Sequence, residues 1–134
     1  MKGLEIYIDG ASQGNPGPAG AGIILTRDGE VIKNMSVHLG IQTNNVAEYT
    51  ALVLGLQEAL ILRADIVRIY TDSQLVSRQV SKEYKIKSPN LMGLYYQVEH
   101  LLSAFDSAQV QYIPRNKNRG ADKLARKACL PAGN

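Results

Sequence analysis

Residues 44–72 read NNVAEYTALVLGLQEALILRADIVRIYTD. Val46, Tyr49, Leu52, Leu56, Ala59 and Leu60 recur at helical spacing, which predicts one long amphipathic helix over 44–62. The period then breaks. Ile66, Val67, Ile69 and Tyr70 are nearly continuous, as in a strand over 65–71 buried at the centre of a sheet. A helix feeding such a strand implies a crossover from an earlier strand, hence an α/β arrangement with a parallel pair.

On the N-terminal side, Leu4 to Ile8 alternates and reads as a strand that ends at Asp9-Gly10. Residues 11–22 are rich in Gly and Pro and read at first as turn or loop. Ala21 to Leu25 is a second strand, Arg27-Asp28-Gly29-Glu30 carries the Asp-Gly hairpin signal, and Val31 to Leu39 is a third strand. On the C-terminal side follow a short helix over 73–80, a basic connection over 82–87 and a helix over 89–105. Leu91, Leu94, Tyr95, Val98, Leu101 and Leu102 share one side of that helix. A strand over 108–113, a basic loop over 114–119 and a helix over 120–130 complete the chain. The expected order is β-β-β-α-β-α-α-β-α: a mixed five-stranded sheet flanked by helices, one domain over 1–130 with a short tail over 131–134.

The 134 residues suit a single core, and the 45% apolar and 20% charged fractions are ordinary for a globular protein. No apolar run approaches a membrane span, and the N-terminus enters a strand at once, so neither a membrane nor an export signal is expected. Cys129 is the only cysteine. This fits a reducing cytoplasm, where a monomer is expected. The net charge of +3 is unevenly spread: residues 1–77 carry five Lys/Arg against eight Asp/Glu, whereas residues 78–134 carry ten against four. A basic half beside an acidic one suits a protein that grips a polyanion with the help of cations.

Four acids stand where chemistry could be done. Asp9 ends the first strand, though an Asp-Gly turn explains it equally well. Glu48 lies early in the long helix and fits a capping box with Asn45 as N-cap. Asp72 ends the central strand, beyond whose carboxyl end ligands bind in sheets of this kind, but it could also cap the next helix. Asp122 sits in the first turn of the last helix, where the helix dipole favours an anion. Carboxylates are hard ligands suited to Mg²⁺, and four of them brought together could hold two divalent ions against a phosphodiester. Neither a P-loop nor a dinucleotide fingerprint is present. His38 and His100 have no nearby partner in sequence and read as structural.

Taken in order, Asp9-Gly10-Ala11-Ser12, the run Gly14 to Gly20, Thr43 to Glu48, Tyr70 to Val76 and Asn118 to Ala125 closely resemble ribonuclease H, type 1, in its compact cellular form. The resemblance spans essentially the whole chain. It implies a sheet order of 3-2-1-4-5 with the first three strands antiparallel, and hydrolysis of the RNA strand of RNA–DNA hybrids to 5′-phosphate and 3′-hydroxyl ends. It makes Asp9, Glu48, Asp72 and Asp122 the catalytic carboxylates holding two Mg²⁺ ions, with Mn²⁺ as a substitute. Gly10, Ser12, Asn15, Asn44, Asn45, Gln74, Arg115 and Asn118 become the residues expected to contact the hybrid; action on double-stranded RNA is left open. Two departures from the family pattern stand out. No histidine occurs between Ile113 and Asp122, where many cellular members carry one, so Arg115 is the nearest candidate for its role. The basic, Trp-rich protrusion is reduced to Lys82, Lys85 and Lys87 in a chain without Trp. The rival readings are a DNA-directed nuclease or integrase-type enzyme, and a hybrid-binding module without turnover.

Overall fold

The computed structural model describes residues 3–130. Strands β1 (Gly3–Ser12), β2 (Gly17–Arg27) and β3 (Glu30–Gln42) precede helix α1 (Asn44–Ile61) and strand β4 (Ile66–Thr71). Helices α2 (Gln74–Val80) and α3 (Pro89–Leu102), strand β5 (Ser107–Tyr112), a 3-10 turn (Arg115–Lys117) and helix α4 (Arg119–Lys127) follow. The sheet runs β3-β2-β1-β4-β5, with β1–β2 and β2–β3 antiparallel and β1–β4 and β4–β5 parallel. This is the expected order. The expected tail over 131–134 lies outside the described residues.

Alternation along β1 assigns its two faces. Leu4, Ile6 and Ile8 are buried and point toward α1, where Gly55 lets the helix settle onto Ile6, Ile8 and Ile23. Helix α1 is buried on more than one side, since it packs on both the sheet and α3. Tyr49, Leu52 and Leu56 are fully buried, and each such leucine stabilises the fold by about 2 kcal/mol. The Tyr49 hydroxyl donates to Gln79 Oε1 at 2.6 Å, which ties α1 to α2.

The opposite face takes α4, and glycine decides how closely. A Cβ on Gly20 would lie 2.4 Å from the Ala125 carbonyl oxygen, and one on Gly22 would lie 2.2 Å from that of Ala121. The stretch from Gly17 to Gly20, expected as loop, is strand, and Gly20 with Gly22 makes room there for a helix backbone. The β2–β3 hairpin turns at Asp28 (φ 52°) and Gly29 (φ 81°), the two left-handed residues that the Asp-Gly signal predicts.

Candidate active site

Sheet register builds the site. Ile8 pairs with Thr71 across the parallel β1–β4 ladder, so Asp9, inside a β1 that runs on to Ser12 past its expected end, stands beside Asp72, the first residue after β4. Across the antiparallel ladder Asp9 faces Gly22, the glycine under α4, which brings the first turn of α4 and Asp122 alongside. Glu48 arrives from α1 through another close approach: a Cβ on Gly10 would sit 2.3 Å from the Glu48 backbone nitrogen.

The local caps differ from those expected and leave the acids free. Thr43, not Asn45, caps α1, with its hydroxyl accepting from the Val46 amide at 3.2 Å. Glu48 is thus two residues too far along to close a capping box on that N-cap and belongs to the cluster instead. Ser73 caps α2 through the Val76 amide at 3.1 Å, so Asp72 is not needed there.

Asp9, Glu48 and Asp72 each present a carboxylate oxygen, and the three oxygens lie within 4.8 Å of one another. Asp122 stands beside Asp9 but outside this group, with Oδ2 held by Arg126 Nη2 at 2.8 Å. The acids open onto a cavity of about 480 Å³ that Ser12, Gln13, Asn44, Tyr112, Arg115 and Arg126 also line.

Bringing these charges together has a cost visible in their proton affinities. Burial, then the Asp72 charge, the hydrogen bond with Asp122 and the Glu48 charge push Asp9 up to about 8. Burial likewise pushes Glu48 up to about 7, against a hydrogen bond from Ser73 and the positive charge of Arg115. Asp72 is raised by burial, opposed by the Asn118 side chain and by Arg115. Mutual repulsion, the expected cause, is second to desolvation at Asp9. Among the described residues, no Lys or Arg reaches ion-pair distance of Asp9, Glu48 or Asp72. Three convergent hard oxygens without a basic partner at ion-pair distance are a donor set that could take a divalent cation such as Mg²⁺.

The expected hybrid contacts divide. Gly10, Ser12, Asn44 and Arg115 line the cavity. Ser12 Oγ also lies against the carbonyls of Gly14 and Gln42, so it braces the β1–β2 connection. Asn15 Oδ1 accepts from the Asn44 amide at 3.1 Å and ties that connection to the start of α1. Asn45 faces a separate depression shared with Tyr84, Lys85 and Lys87, and Gln74 is exposed at the start of α2 outside the cavity lining. Asn118 corrects the expectation. It is only 2% exposed, donates from Nδ2 to the Ile8 carbonyl at 2.8 Å and reaches Asp72 Oδ2 at 3.4 Å. A side chain so enclosed orients Asp72 and cannot reach a hybrid.

Sequence reasoning passed over Arg126, Gln13 and Tyr112. For Arg126 a signal was available: it stands four residues after Asp122, the spacing of a helical ion pair.

A family model described as reverse transcriptase-like matches residues 7–128. The chain is 42% identical over 127 residues to the bifunctional protein Rv2228c of Mycobacterium tuberculosis, covering 93% of this chain and 35% of that protein. It is 37% identical over 126 residues to ribonuclease HI of Halobacterium salinarum, covering 93% and 63%. It thus spans about a third of the first relative and under two thirds of the second. The crystal structure of the Halobacterium RNase H1 superposes with a TM-score of 0.91, covering 94% of this chain and 96% of that one at 37% identity. LC11-RNase H1 in complex with RNA/DNA hybrid gives a TM-score of 0.88 at 36% identity, covering 94% and 96%.

Proposed function

The chain belongs to the ribonuclease H family, and from that membership we propose that it is a metal-dependent endonuclease hydrolysing the RNA strand of RNA–DNA hybrids. The observation that carries this reading is the convergence of Asp9, Glu48 and Asp72 oxygens within 4.8 Å, from β1, α1 and the residue just past β4, with Asp122 beside them. A binding module would gain nothing from clustered negative charge where phosphates must approach. The complex of LC11-RNase H1 with RNA/DNA hybrid supports the choice of substrate.

Asp9, Glu48 and Asp72 would hold one divalent ion, and Asp9 with Asp122 a second. Bound there, the pair supplies acidity to an attacking water and positive charge to the leaving 3′ oxygen, which gives 5′-phosphate and 3′-hydroxyl ends. The chain's own groups do the rest. Asn118 fixes the Asp72 carboxylate, and Ser73 donates to Glu48. Arg115 places a positive charge near both acids and is exposed to a phosphate, taking up the work of the absent loop histidine. RNA is selected through ribose 2′-hydroxyls, for which Asn44 and the backbone of Gly10 to Ser12 are placed at the cavity wall.

The test uses end-labelled RNA–DNA hybrid, DNA duplex and RNA duplex, with Mg²⁺, Mn²⁺ or EDTA. EDTA-sensitive scission of the RNA strand of the hybrid is expected. Cleavage of DNA duplex in its place would assign the chain to DNA chemistry, and metal-independent retention without scission would make it a binder.

A further inference from the structure

The four acids are not equivalent in this structure. Three share one cluster without a basic partner at ion-pair distance, while Asp122 is already neutralised by a cation of the protein's own, the Arg126 guanidinium at 2.8 Å. Both residues belong to α4, one helical turn apart, so the pair forms as soon as the helix does. The partners differ in environment: the Asp122 side chain is 12% exposed and that of Arg126 is 68% exposed. The acid is fixed by packing, whereas the arginine reaches in from solvent and can leave without disturbing the core. Arg126 also lines the cavity that holds the cluster.

Resting on the two-ion hydrolase reading, we propose that Arg126 is a positioning residue that stands in for the second divalent ion at Asp122 and sets the metal concentration at which that ion binds. The guanidinium holds the oxygen that a cation between Asp9 and Asp122 would use. Entry of that cation requires Arg126 to yield Oδ2 or share it, and two positive charges at one carboxylate oppose each other. Asp9, Glu48 and Asp72 feel Arg115 only from beyond ion-pair distance, so the ion they hold binds first. Occupancy of the second position becomes the graded step, which makes the chain a divalent-cation sensor over the range where Arg126 and the second ion exchange.

The experiment is calorimetric titration of the substrate-free protein with Mn²⁺, comparing wild type, Arg126→Gln, Arg126→Lys and Lys123→Gln. Lys123 is exposed on the same helix and its change removes the same charge without a contact to Asp122. For Arg126→Gln, the weaker binding step tightens about three- to tenfold and the tighter step moves less than twofold. Arg126→Lys falls between, and Lys123→Gln follows wild type. Hybrid cleavage plotted against metal concentration shifts to lower concentration by the same factor. A weaker step that is unchanged or weakened in Arg126→Gln overturns the proposal, as does an equal shift in Lys123→Gln, which would assign the effect to general charge. If wild type shows no saturable Mn²⁺ binding, or Asp9→Asn does not reduce it, the hydrolase reading itself fails and this proposal with it.

Discussion

Replacing Asp9 by Asn should make the metal-free protein more stable at alkaline pH while destroying its activity. Asp9 is 6% exposed, and its carboxyl is pushed from 3.8 up to about 8 by burial first and by the neighbouring acids second. The folded state therefore keeps a proton that the unfolded chain releases. A raised carboxyl stabilises fully below the unfolded value near 4, and that contribution is lost as pH rises to about 8. At about 1.4 kcal/mol per unit, the ceiling is roughly 6 kcal/mol at pH 8 and above. Glu48 and Asp72 share the same repulsion, and side chains relax as the cluster ionises, so about 2–4 kcal/mol is expected. Asparagine keeps the shape and cannot ionise. In a domain of this size that difference is about 6–12 °C in Tm.

The assay is thermal unfolding of both proteins in EDTA from pH 4 to pH 9. The curves should lie close together near pH 4 and separate progressively toward pH 8, with the variant above. Adding Mg²⁺ should close or reverse the gap, since a ligand that binds only the folded form stabilises it in proportion to occupancy, and the variant has lost a ligand oxygen. Cleavage of hybrid by the variant should fall by at least a thousandfold. A Tm difference independent of pH, or a wild type that stays the more stable at pH 8 without metal, would refute the argument that burial and crowding of charge are what the cluster tolerates in order to bind metal.

Gly10→Ala places a methyl 2.3 Å from the backbone of Ala47 and Glu48, which neither can evade unless α1 moves. A loss of about 1–3 kcal/mol in urea unfolding and a more than tenfold fall in cleavage are expected. Asn118→Ala removes buried hydrogen bonds to Ile8 and Asp72 and should cost about 1–3 kcal/mol. Because Asn118 orients an acid and does not touch the hybrid, kcat should fall with KM nearly unchanged. Arg115→Ala withdraws a charge that lowers the proton affinity of Glu48 and Asp72. The acid limb of its pH–rate profile should move to higher pH. If Arg115 also meets a phosphate, the slope of log affinity against log salt should shrink by about one.

The sheet was legible because its signals are local and redundant. The period change near residue 62, the continuous apolar run of β4 and the Asp-Gly hairpin each left one reading. What misled were residues whose local meaning is overruled by a distant partner. Gly17 to Gly20 looks like loop because glycine and proline favour turns, yet it is strand, and at Gly20 and Gly22 the absence of a side chain lets α4 lie against β2. Asn45 looks like a cap, but Thr43 is the residue whose backbone turns into α1 and whose hydroxyl meets an amide. Asn118 looks like a loop amide available to a ligand, and the chain instead closes over it 110 residues away from its partner Ile8.

The same contrast explains why the site could be read more surely than its parts. Each acid by itself has an adequate local explanation, and the structure withdraws two of these explanations by giving the caps to Thr43 and Ser73. The glycines then act together. Gly10 admits Glu48, while Gly22, paired with Asp9, admits the helix that brings Asp122. Adding a methyl at either glycine would separate acids that are far apart in sequence and adjacent in space. The acidic site is therefore specified as much by side chains left out of β1 and β2 as by the carboxylates themselves. A search confined to acidic residues would find its members without finding what holds them together.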